Sequence, residues 1–209
     1  MGNPLYLILI AIFWLANTPA KQPMKHIFYL HGMIIEVQGI NAVSPDFGPY
    51  EYTEIIEALE ETGATVHHEV RTKETDFYEF GKKVSEEIDA LIKTGVFPSD
   101  ISVIGASKGG IMAMYISNIN KSNINYVLLA SNSDYTEKTF DWYLHGSILG
   151  IYEASDTVAG KDYRFWINRS KDATRFEQLQ IDTGLNHGFL YRPIDAWMGP
   201  AMKWINSLQ

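Results

Sequence analysis

From Lys25 onward, short apolar runs alternate with longer stretches in which apolar residues return every three or four positions. The first pattern suits strands buried on both faces, and the second suits helices with one covered side. "HIFYL" (26–30) reads as a buried strand that stops at His31-Gly32. "EYTEIIEALEETG" (51–63) puts Tyr52, Ile55, Ile56 and Leu59 on one helical face and closes on Gly63, a residue suited to ending a helix. "ATVHHEV" (64–70) is the next strand. From Asp76, Phe77, Phe80, Val84, Ile88, Leu91 and Ile92 recur at helical steps until Gly95. A strand at 101–105 then leads into "GGIMAMYISNI" (109–119), apolar on nearly all sides and therefore a buried helix.

"NYVLLAS" (125–131) and "SILGIY" (147–152) are further buried strands, and "FEQLQI" (176–181) is a weaker one. The polar and aromatic stretch 132–146 is a candidate cover for the sheet, and 157–175 reads equally as strand or helix. "PIDAWMGPAMKWINSL" (193–208) is a helix opening at Pro193, and Pro200 is expected to kink or split it. No repeat, low-complexity tract or linker interrupts the series. Alternation of this kind implies one α/β domain over 21–209, with a mainly parallel central sheet and helices on both faces.

Composition narrows the function classes. The 209 residues allow one sizeable core but are short for two domains. A formal charge of -8 argues against a nucleic-acid partner, which needs a basic face. The absence of cysteine removes disulfides, thiolate metal sites and a cysteine nucleophile together.

"LYLILIAIFWLA" (5–16) is an uninterrupted apolar run followed by Thr18, Pro19 and Ala20. Its length falls short of a comfortable membrane span and matches the apolar core of a secretory signal. A leader over 1–20 cut at Ala20 is the favoured reading, although "MGNP" lacks the usual basic start. An uncleaved membrane anchor ranks next and a buried N-terminal strand or helix last. The expected location is secreted or periplasmic, with no stable membrane insertion once the signal is removed.

The strand at 101–105 runs straight into Gly105-Ala106-Ser107-Lys108-Gly109, which fits G-x-S-x-G, the nucleophile elbow of α/β-hydrolases. A serine on so sharp a strand-to-helix turn stands above the sheet edge, and flanking side chains would collide with neighbouring backbone. The phosphate-binding alternative needs G-x-x-x-x-G-K before Ser or Thr. Here the lysine precedes the glycines and Ile111 follows them, so that reading ranks far lower.

A serine hydroxyl needs a base, and the base needs a partner to fix its tautomer. In this fold the order is Ser, then Asp or Glu, then His. Of six histidines only His145 and His187 follow Ser107. His187, in "TGLNHGFLY" between the last strand and last helix, is the candidate base, and His145 falls out of order. Asp156, in the loop after 147–152, is favoured as the acid over Asp134, with Glu153 and Asp182 as lesser rivals. The amides of Met33, after His31-Gly32, and of Lys108 are the candidate oxyanion donors. Glu36 and Gln38 fall close enough to line a pocket, with no chemical role assigned. His67 and His68 are neighbours in a strand, face opposite ways and suggest no metal pair. Phe140, Trp142 and Tyr143 read equally as a cover for the site or as an ordinary aromatic cluster.

Residues 25–205 resemble the α/β-hydrolases, most of all small bacterial serine hydrolases that combine "LHG", "GASKGG" and "TGLNHGFLYRP". The resemblance implies an α/β-hydrolase fold, no cofactor and hydrolysis through an acyl-serine intermediate. By position it maps the nucleophile to Ser107, the acid to Asp156, the base to His187 and the oxyanion amides to Met33 and Lys108. The chain departs from the related dienelactone hydrolases, which carry cysteine where Ser107 stands, and it lacks the HGGG run of many lipases. The expected activity is therefore cleavage of a small carboxylic ester, thioester or amide. The alternatives are a non-catalytic ligand-binding or interaction module and an acyltransferase using the same site.

Overall fold

A computed structural model describes residues 24–207; the leader expected at 1–20 lies outside them. In chain order the elements are β1 (His26–Leu30), α1 (Met33–Gln38), β2 (Val43–Ser44), β3 (Gly48–Pro49), α2 (Tyr52–Glu60), β4 (Thr65–His68) and α3 (Phe77–Lys93). They continue with β5 (Ile101–Ala106), α4 (Lys108–Ile119), β6 (Asn125–Leu129), α5 (Asp134–Thr139), β7 (Ser147–Glu153), α6 (Arg164–Arg169), β8 (Arg175–Ile181) and α7 (Asp195–Asn206).

The central sheet has the order β4-β1-β5-β6-β7-β8, and every pairing in it is parallel. Parallel strands need crossovers, and the helices supply them on both faces. Alternate strand residues sort the core into two layers. Ile27, Tyr29, Ile104, Val127, Leu129 and Ile151 pack with α1, α2 and α7. Phe28, Leu30, Val103, Tyr126, Leu128 and Ile148 pack with α3, α4 and α6. β5 is buried along all six residues, which explains why its sequence is apolar without alternation.

Several expectations are corrected. Pro200 does not split the final helix, since α7 runs unbroken through it. Proline removes one backbone bond and crowds the preceding turn, but Trp197, Ala201, Trp204 and Ile205 clamp that helix to the sheet from both sides of the proline. The ambiguous stretch 157–175 holds the short α6, anchored by the buried Trp166. The segment 132–146 forms α5 and then an aromatic stack away from the sheet's C-terminal edge. Phe140 lies flat on Trp142 at 4.0 Å between centroids, and Trp142 packs on Tyr115 of α4 at 5.7 Å.

Candidate active site

The chain leaves β5 at Ala106 and enters α4 at Lys108 with one residue between them. That residue, Ser107, has φ 52° and ψ −118°, a backbone conformation that non-glycine residues rarely adopt and that costs about 1–3 kcal/mol. Its amide donates to the Leu129 carbonyl at 2.8 Å and so pins the turn to β6. A side chain on Gly105 would strike the backbone at Gly109, and one on Gly109 would overlap the carbonyls of Leu30 and His31. Both glycines are needed for close approach of backbone.

The hydroxyl held by this turn meets His187, which in turn meets Asp156, both from distant parts of the chain. His187 Nε2 lies 3.0 Å from Ser107 Oγ, and His187 Nδ1 lies 2.7 Å from Asp156 Oδ2. The Asp156 side chain is fully buried, and that of His187 is 7% exposed. Burial alone would raise the Asp156 carboxyl. Hydrogen bonding and charge from His187, with the amides of Ala159 and Val158, hold it below the usual carboxylate range instead. Those amides bond Oδ1 at 3.1 and 2.7 Å.

The rivals are placed elsewhere. Asp134 is exposed and pairs with Lys161 at 2.7 Å. His145 sits beside Lys121 at 3.2 Å. Asp182 is exposed. Glu153 is buried and acts as a clasp. Its two oxygens accept from Ser155 on one side and from Thr183 and Gly184 on the other. Burial works against its ionisation, but those donors keep its carboxyl below the ordinary range. Asn186 adds a second tie, accepting from the Thr157 amide at 3.2 Å. Together they join the loop carrying Asp156 to the loop carrying His187. Sequence reasoning weighed Glu153 as an acid and missed this role; its place at the very end of a buried strand was the available signal.

Met33 and Lys108 are the first residues of α1 and α4, and neither helix has a side-chain cap on its first turn. First-turn amides have no partner within their own helix and favour negative charge. Gly32, just before Met33, lies against Ser107, since a Cβ there would sit 3.6 Å from the serine Cβ. A cleft of about 310 Å³ opens over these groups, lined by Met33, Ile34, Val37, Phe47, Leu190 and Tyr191 beside Ser107 and His187. Gln38 lines it too, whereas Glu36 is buried behind it. Phe140, Trp142 and Tyr143 are not among its lining residues. The arrangement suits an uncharged, mainly apolar ligand with a carbonyl at the serine.

No family model and no curated protein matches the chain significantly. Solved structures do. SOBER1 of Arabidopsis thaliana superposes with a TM-score of 0.57 at 16% identity, covering 86% of this chain and 100% of that one. A protein of unknown function from Agrobacterium tumefaciens, described as a candidate alpha/beta hydrolase, gives 0.58 at 16% identity over 89% and 86%. Est1E from Butyrivibrio proteoclasticus gives 0.54 at 12% identity over 87% and 86%. At such identities the likeness speaks for the fold alone, and the fold is that of the α/β-hydrolases.

Proposed function

We propose that this protein is a serine hydrolase that cleaves a small, uncharged carboxylic ester through an acyl-serine intermediate. The observation that carries the reading is the unbroken run of hydrogen bonds from Ser107 through His187 to Asp156. Hydrolase descriptions among proteins of the same fold are consistent with it. Ser107 Oγ attacks the substrate carbonyl while His187 Nε2 takes its proton, and Asp156 holds the imidazole in the tautomer with Nδ1 protonated. The amides of Met33 and Lys108 receive the developing oxyanion. His187 then returns the proton to the departing alkoxide, which leaves as the alcohol while the acyl group stays bonded to Ser107. Water, deprotonated by the same imidazole, attacks that acyl group and releases the carboxylic acid and free serine. The apolar lining of the cleft favours uncharged acyl groups, because a charge placed there would lose its hydration without a partner.

A fluorophosphonate probe tests this directly. Folded protein is expected to be labelled at Ser107, with Ser107→Ala unlabelled and inactive on p-nitrophenyl esters. Undiminished labelling of Ser107→Ala, or silence of the wild type, would overturn the proposal.

A further inference from the structure

Behind the cleft lies a charged cluster that the chemistry above does not use. Arg71 is 1% exposed and Glu36 7%. Burying such groups is costly unless their geometry is dense. Three adjacent strands deliver the cluster: Arg71 follows β4, Glu36 stands on α1 after β1, and Lys108 opens α4 after β5. One carboxylate takes both cations, Arg71 Nε at 3.0 Å on Oε1 and Lys108 Nζ at 2.5 Å on Oε2. Arg71 Nη2 also donates to the His31 carbonyl, and the Arg71 amide donates to His31 Nε2 at 2.8 Å. Because that ring nitrogen accepts, Nδ1 carries the proton and donates to the Gly32 carbonyl at 2.9 Å. The segment His31-Gly32 leading into Met33 is thus held from both ends.

We propose that Glu36, bridging Arg71 and Lys108, is a positioning residue that fixes the separation of the two oxyanion amides. This rests on the hydrolase reading and goes beyond it. Met33 supplies one amide, and Glu36 lies three residues further along, within the first turn of the same helix. Lys108 supplies the other amide from its backbone while its own side chain reaches Glu36. The bridge therefore ties together the first turns of the two helices whose amides receive the oxyanion. Glu36, Arg71 and the Lys108 side chain lie outside the cleft lining, so they act without touching substrate. Small misplacements of such donors are costly, because the hole works only when it is preorganised.

The test removes the tether and leaves both amides in place. Lys108 is partly exposed, so Lys108→Met is expected to fold. Its kcat should fall about 10–100-fold with KM within about threefold. Affinity for a trifluoromethyl ketone, which forms a tetrahedral adduct on serine, should fall in step with kcat/KM. Binding of an unreactive ether analogue should stay at the wild-type level, and Lys108→Arg should recover most of the loss. Glu36→Gln, if folded, should show the same loss although the Lys108 ammonium remains. Wild-type kcat in Lys108→Met, or in folded Glu36→Gln, would overturn the positioning role; if Glu36→Gln does not fold, Lys108→Met decides alone. Absence of Ser107 labelling in the wild type would sink the hydrolase reading as well, whereas labelled wild type with an unaffected Lys108→Met sinks only the tether.

Discussion

At the scale of single residues, the site depends on groups that are unremarkable until their neighbours are known. Asp156 and Asp134 both follow buried strands in the sequence, and nothing local to either marks it as the partner of an imidazole. The difference lies in surroundings. Asp156 is sealed from solvent against His187, while Asp134 faces water beside Lys161. Replacing Asp156 by Asn keeps the shape and removes the charge that stabilises a protonated imidazole. Steady-state kinetics on Asp156→Asn should show kcat reduced about 10³–10⁴-fold with a near-native circular dichroism spectrum. A loss below tenfold would mean that this carboxylate does not serve the base. Ser107 and His187 were legible because the glycine frame and the order along the chain are local or one-dimensional signals. The acid was only half legible, since burial is not.

At the scale of elements, periodicity found the central strands and the long helices because each buries a continuous face. It was weaker where an element is held by others rather than by its own pattern. α1, the hairpin of β2 and β3, and α6 are short, and their stability comes from tertiary packing more than from propensity. Pro200 belongs to the same class: its local penalty is real, but the buried residues on both sides keep α7 whole. The loops over β7 and β8 depend on Glu153, whose carboxylate gathers donors from both. Glu153→Gln replaces one acceptor oxygen by a donor facing other donors. Urea unfolding should register a loss of roughly 2–3 kcal/mol, with kcat also reduced because Asp156 and His187 ride on the joined loops. Unchanged stability would mean that the clasp is redundant.

At the scale of the whole molecule, the parallel order sets three C-terminal strand ends side by side, so that the buried His31, Arg71 and Glu36 and the partly exposed Lys108 share one electrostatic environment. Burial beside Arg71 pushes His31 down to about 3. The unfolded chain then binds a proton that the native state refuses between about pH 3 and 6.5, so stability is present above that window and is lost as pH falls through it. The slope is about 1.4 kcal/mol per pH unit. Urea midpoints at pH 7, 6 and 5 should drop in the wild type and drop less in His31→Gln; equal slopes would show that His31 is not the group responsible. The sequence by itself determined the strand–helix alternation, the elbow that carries Ser107 and the chain order of the three side chains, because apolar periodicity and glycine sterics are written locally. The favoured choice of Asp156 over Asp134 needed the folded chain to settle which of them meets His187, and only the packing shows that Glu153 joins two loops and that Glu36 couples α1 to α4. Those outcomes depend on distance and burial between segments far apart in the chain, and no local pattern encodes them.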